Sequence, residues 1–180
     1  TPEDAYLRLA NLYVKEDAPS SAADILERGV KKGFNNAKIK ESLAQLYLKS
    51  GQPQKAKEAT ENELFKIKCM FELNELEEGF AELERLKDKY KNKGEYHALR
   101  AQYYFMKGDY DKALECVNEY DKYEKNSPLL FQMRAMIYEN KDDDFNAHLN
   151  WGKYNLLRGN KDIAINEFLS ADRIDDSNAD

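Results

Sequence analysis

The most suggestive run of potential metal ligands in this chain is Asp142-Asp143-Asp144, followed by Asn146. Asp142, Asp144 and Asn146 match the first alternating oxygen positions of a Ca2+-binding loop. The match then fails twice: Ala147 stands where the loop needs glycine, and Lys153 stands where a bidentate glutamate closes the shell. The run therefore reads as a solvated turn with acids at the positive end of a following helix. A second candidate is His97 with Cys116, which lie on consecutive predicted helices. Nucleophilic catalysis also needs a group to orient the base and donors for an oxyanion, and neither is indicated. His148 reads as a packing or surface residue, and no phosphate cradle of the G-x-x-x-x-G-K type occurs. Cys69 and Cys116 form no C-x-x-C pair or disulfide framework and read as small core residues. The expectation is a non-enzyme with no catalytic residue, no bound metal and no cofactor.

Without chemistry to position, the elements themselves become the question. The chain is 42% apolar and 34% charged with only 8 Gly and 4 Pro, a balance that suits amphipathic helices rather than strands or disorder. No run approaches the roughly 20 apolar residues that cross a bilayer, so membrane insertion is not expected, and the preferred compartment is the cytoplasm. Net charge is −6, and the excess of acid lies in the last two thirds. A basic stripe able to neutralise phosphates is missing, which argues against a nucleic-acid partner. The chain opens at Thr1 without a methionine, which suggests an excised or processed piece of a longer protein, with residues 1–180 as one helical-repeat domain.

Thr1-Pro2-Glu3-Asp4 supplies a hydroxyl cap, a first-turn proline and two acids, and Tyr6, Leu9, Ala10 and Tyr13 come next at helical spacing. After Asp17-Ala18-Pro19-Ser20 a second helix carries Ala22, Ile25, Leu26 and Gly29. Leu43, Ala44, Tyr47, Gly51 and Ala56 repeat the frame 34 residues on. The next small contact residue, Gly79, comes only 23 residues after Ala56. A capping-box match, Thr60-x-x-Glu63, competes for this stretch, but it would leave about six residues for the preceding helix, too few to be stable. Residues 54–73 are therefore expected as one long helix, followed by another at 76–91. Ala101, Tyr104, Gly108, Ala113, Val117 and Tyr120 restore the frame, with Asp109 as a cap. After Ser127-Pro128 the frame continues through Ala135, Tyr138, Ala147, Trp151 and Tyr154. The stretch from Trp151 to Ala171 places Gly152 and Ala164 where helices touch, with Phe168 and Ala171 continuing the stripe. The helix bearing Trp151 thus serves both the pair before it and the pair after it. A last helix over 160–174 is expected to end in Asp175-Asp176-Ser177-Asn178.

A W-x-x-L-G-x-x-Y helix followed by A-x-x-x-F-x-x-A, recurring every 34 residues, resembles the tetratricopeptide repeat (TPR). The resemblance is strong in 4–31, 37–57, 94–121 and 145–178 and weak in 58–93. It implies an all-α fold, a right-handed superhelical stack of antiparallel helix pairs with about ten helices and an irregular 54–93 region. It further implies a protein-interaction scaffold whose concave groove is lined by the first helix of each pair. On this sequence the lining would include Leu7, Arg8, Asn11 and Lys15, then Ser42, Gln45 and Lys49. Farther on come Gln102, Phe105 and Met106, followed by Gln132, Met133 and Met136. The Lys and Asn set with which some TPR domains clamp a C-terminal carboxylate is not matched, since Leu7, Ser42, Glu95 and Leu99 occupy key positions. What the resemblance leaves is a mixed amide and apolar groove. The peptide-binding candidates are Arg8, Asn11, Lys15, Gln45, Lys49, Gln102, Phe105, Met106, Gln132 and Met136, with a protein or peptide as partner. The alternatives are a self-assembly module forming a homo-oligomer, and a docking or regulatory segment of a larger enzyme.

Overall fold

Helix starts obey the caps that the sequence supplies. In a computed structural model that describes residues 1–178, Thr1 caps α1 (Pro2–Lys15) with a full capping box: its hydroxyl accepts from the Asp4 amide and the Asp4 carboxylate reaches back to the Thr1 nitrogen. Proline stands in the first turn of α2 (Pro19–Lys31) and α4 (Pro53–Ala59), where its missing N–H costs nothing. Asn36 caps α3 (Ala37–Lys49) and Asn62 caps α5 (Glu63–Glu72). The helices α6 (Leu76–Arg85), α7 (Lys87–Tyr90) and α8 (Gly94–Met106) come next. Asp109 caps α9 (Tyr110–Asp121), Ser127 caps α10 (Pro128–Asn140) and Asp143 caps α11 (Asp144–Leu157). The last is α12 (Lys161–Asn178). Ala179 and Asp180, the end of the expected 1–180 domain, lie outside the described residues.

The turns show one device in two chemistries. Gly33, Gly51, Gly108 and Gly159 take the left-handed conformation after their helices, with φ between 74° and 92°, as glycine does without steric cost. Asp17, Asn74, Asn126 and Asp142 take the same region at φ 54–62°, which Asp and Asn tolerate better than other side chains. The first break thus does without a glycine because Asp17 fills that conformation.

Contacts divide the chain into two compact units, residues 1–82 and the residues from Leu83 onward. In the first, α1 packs on α2, α2 on α3, α3 on α4 and α4 on α5. Ala10, Ala22, Leu26, Ile39, Ala44 and Ala56 form the middle of its core, each at most 3% exposed. Small residues set the helix approach: a Cβ on Gly29 would lie 3.1 Å from the Tyr6 ring, and one on Gly79 would lie 2.8 Å from Phe71. The second unit packs α8 on α9, α9 on α10, α10 on α11 and α11 on α12. Its core joins Ala101, Ala113, Val117, Tyr120, Leu130 and Ile137. Gly152 is closed by the ring of Phe168, 2.5 Å from where a Cβ would stand.

The middle departs from expectation. Residues 54–73 are not one helix: the chain is extended at Thr60 and restarts at Asn62. The capping-box reading of Thr60 does not describe the restart either. Thr60 is buried, its hydroxyl donates to Glu41 Oε2 at 2.9 Å, and it accepts from the Asn62 amide at 3.1 Å. Asn62 itself caps α5 by accepting from Phe65 N. The seven-residue α4 persists through tertiary burial, with Ala56 fully enclosed between neighbours, rather than through its own helical propensity. The expected 76–91 helix is likewise split at Leu86, so twelve helices are described where about ten were expected. The frame slip has a plain origin. Against α9, the loop after it and α10, the corresponding α4, loop and α5 are all shorter, with helices of 7 and 10 residues in place of 12 and 13.

One further expectation is corrected. The helix expected over 160–174 continues through Asn178, because no proline stops it and the Ser177 hydroxyl bonds back to the Ile174 carbonyl at 2.8 Å. Trp151 is half-buried. Its ring meets Tyr154 edge-on at 5.4 Å, and its Nε1 donates to Glu139 Oε1 at 2.7 Å.

Candidate interaction surface

The residues first considered for chemistry have structural occupations. Asp142 holds the left-handed turn, Asp143 accepts from the Asn146 amide, and Asp144 sits in the first turn of α11. Among the described residues no group of three His, Cys, Asp or Glu side chains is placed to hold a metal. His97 is buried, stacks on Tyr123 at 5.3 Å and donates from Nε2 to the Lys91 carbonyl at 2.8 Å. Its Nδ1 has no hydrogen-bond partner. Burial pushes the Cys116 thiol up to about 11, so it stays neutral at physiological pH, the reverse of an activated nucleophile. Cys69 is pushed up to about 11 by the same cause. Tyrosines with hydroxyls at the core's edge recur. Tyr47 donates to Glu27 at 2.7 Å, Tyr96 to Glu84 at 3.0 Å, and Tyr120 shares a hydrogen bond with Ser127 at 3.0 Å.

The expected groove residues fall into two sets. In the first unit Arg8, Asn11 and Lys15 are exposed on α1, and Gln45 and Lys49 are exposed on α3. Leu7, named with them as lining, is buried in the core instead. In the second unit Met106 and Met136 are exposed, and Gln102, Phe105, Gln132 and Met133 are half-buried. Phe105 and Met133 both pack on the core cluster that joins α8, α9 and α10.

The helix α10 explains why this second set faces solvent with apolar atoms. Leu130, Phe131, Ala135 and Ile137 are buried. Leu129 and Met136 are exposed, seven residues apart, with Gln132 and Met133 between them at helical spacing. The helix thus carries exposed apolar side chains, Leu129 and Met136, beside the face it buries, while Met133 between them packs on the core. Leu129 belongs to the surface but escaped the reading by repeat positions; its exposure is legible only once the buried face of α10 is known. Neither the Gln102 nor the Gln132 amide has a hydrogen-bond partner among the described residues. Several charges of this unit are engaged internally. Arg134 binds Asn118 at 3.0 Å and Asp121 at 3.1 Å, Lys141 binds Asp111, and Arg100 Nε lies 3.0 Å from Glu84 Oε1 as an ion pair. No helix of the described residues is long and apolar enough to cross a membrane.

No protein-family model matches the chain, and no curated protein sequence matches it. Solved structures do. A thermophilic TPR protein of Thermus thermophilus aligns with TM-score 0.75 and 17% identity over 93% of this chain and 98% of its own. A tetratricopeptide repeat protein from Parabacteroides merdae aligns with TM-score 0.61 and 16% identity, covering 95% and 78%. YrrB, described as a TPR protein with an unusual peptide-binding site, aligns with TM-score 0.52 and 16% identity, covering 92% of each chain. The chain has the tetratricopeptide-repeat fold.

Proposed function

We propose that this chain is a non-enzymatic interaction scaffold that holds a peptide or protein segment against the exposed side of α8 and α10. The observation that carries the reading is the set of exposed apolar side chains on α10, Leu129 and Met136, with Met106 exposed on α8. Met, with its flexible thioether, adapts to varied apolar partners. Leu129, Met106 and Met136 would receive side chains, while the free Gln102 and Gln132 amides, each both donor and acceptor, would engage the partner's main chain. Arg8, Asn11, Lys15, Gln45 and Lys49 would offer the first unit a separate polar surface of its own. The peptide-binding site ascribed to YrrB supports the general mode, not the partner.

The test is affinity capture with the chain and with a Met136→Glu/Gln132→Ala variant, followed by peptide binding measured by fluorescence anisotropy. Loss of about tenfold or more in affinity, with helical content unchanged, is expected. Retention of every captured partner by the variant would reject this surface.

A further inference from the structure

From Arg28 to Lys40 the chain carries five basic residues, Arg28, Lys31, Lys32, Lys38 and Lys40, and no acid. All five are exposed, and none forms an ion pair among the described residues. The acids that flank the run are engaged elsewhere: Glu27 accepts from the Tyr47 hydroxyl at 2.7 Å, and Glu41 from the Thr60 hydroxyl at 2.9 Å. Two acids of α1 come near the same turn and are engaged as well. Glu3 accepts from Asn36 Nδ2 at 2.9 Å, and Asp4 from the Thr1 hydroxyl at 2.8 Å. Asp24, one turn before Arg28 on α2, is exposed and not paired with it.

The turn that carries these charges is fixed. Gly33 takes the left-handed conformation, the Phe34 amide bonds back to the Gly29 carbonyl at 3.0 Å, and the Gly33 amide bonds to the Val30 carbonyl at 2.9 Å. These are the paired bonds of a Schellman ending. Phe34 packs on Tyr6 with ring centroids 5.7 Å apart, and Lys32 Nζ stands 5.8 Å from the centre of the same Tyr6 ring. Both helices are flanked, α2 by α1 and α3, and α3 by α2 and α4. Helix stability accounts for part of the pattern. Arg28 and Lys31, in the last turn of α2, suit the negative end of its dipole. Lys38 stands in the first turn of α3, at the positive end, where no acid offsets it, and Lys40 follows. A cation there is unfavourable to the helix.

The patch is also an exception in its surroundings, since residues 1–82 carry 12 basic and 15 acidic residues. A long polyanion or a flat anionic membrane would meet the surrounding acids, whereas a short acidic segment can stay within the patch. We infer that the turn between α2 and α3 docks a short acidic segment of a partner protein, its carboxylates received by Arg28, Lys31, Lys32, Lys38 and Lys40. Arg28 offers a planar fork for bidentate contact, and the lysines act as point charges. Docking relieves the repulsion among the five cations and brings to the start of α3 the negative charge that its first turn lacks. This site uses elements other than the α8 and α10 surface and stands or falls separately from it.

Fluorescence anisotropy on the whole chain, with a short fluorescein-labelled oligoglutamate as probe, tests the inference. Affinity should fall about tenfold or more between about 0.02 and 0.2 M NaCl, as the charges are screened. Lys31→Glu/Lys38→Glu alters exposed positions, so circular dichroism should remain native while affinity at low salt falls about tenfold or more. Lys68→Glu/Lys125→Glu has the same net charge but leaves the turn intact, and it should bind within about twofold of the parent. Met136→Glu/Gln132→Ala should also bind the oligoglutamate as the parent does, which tells loss at the α8 and α10 surface apart from loss here. Absence of binding up to about 1 mM probe, a Lys31→Glu/Lys38→Glu variant as tight as the parent, or an equal loss in Lys68→Glu/Lys125→Glu would each overturn the inference. So would tighter binding to vesicles containing phosphatidylserine, or to a single-stranded RNA of equal charge, either of which would assign the patch to a different anion.

Discussion

Tyr47 and Tyr96 show how single side chains in this molecule combine burial with a polar end. Each ring is buried and each hydroxyl donates to a carboxylate, Glu27 or Glu84. Tyr47→Phe keeps the ring and removes one charge-assisted hydrogen bond, so a loss of about 1–2 kcal/mol is expected in urea unfolding. The buried acids also set a pH limit. Burial raises Cys69 and Cys116 from 9 to about 11, and burial together with Glu84 raises Tyr96 from 10 to about 12. For an acid whose pKa is higher folded than unfolded, the contribution is complete below the unfolded value and fades as pH climbs toward the folded one. Stability should therefore fall between pH 9 and about 12, and Cys116→Ala should flatten that slope in denaturation midpoints measured across the range. A thiol reagent at about pH 8, below the ordinary thiol pKa, should leave both cysteines unmodified in the native protein and label both in urea.

At the scale of elements, caps and close contacts decide where helices begin and how near they lie. Asn62→Ala removes the acceptor for the Phe65 amide and should cost about 1 kcal/mol. Gly152→Ala places a methyl against the Phe168 ring and should cost about 1–3 kcal/mol, visible as a lowered Tm. Much of this layer is legible in the sequence, because Thr1, Asp109 and Ser127 carry local cap signals whose partners lie three residues away. The break at Thr60 is not, since its reason is a hydrogen bond to Glu41, nineteen residues earlier in the chain. The helix α10 hides Leu129 in the same way: with apolar side chains both buried and exposed, it has no amphipathic rhythm to show which side is inside. Asp17 and Asp142 hide as well, one as a missing glycine and one as a metal ligand, although both serve as left-handed turn residues.

At the largest scale, the expected behaviour within each unit is that of an array in which each helix is held mainly by its neighbours. A scaffold that binds through the exposed apolar side chains of α10 should lose partner affinity on Met136→Glu without losing stability, because Met136 lies outside the core. Calorimetry and binding measured on the same variant separate those two effects. The seven-residue α4 gives the array a preferred line of fracture. Its two turns cannot hold themselves, so it should open before α3 or α5, and opening there uncouples α1–α3 from the remainder of the first unit. Hydrogen exchange should find Ala56 and its neighbours less protected than Leu43 or Ile67, with an exchange free energy below that of global unfolding. The shortened repeat would then act as a fuse: under heat or pulling force the first three helices would detach and re-anneal while the rest of the chain stays folded.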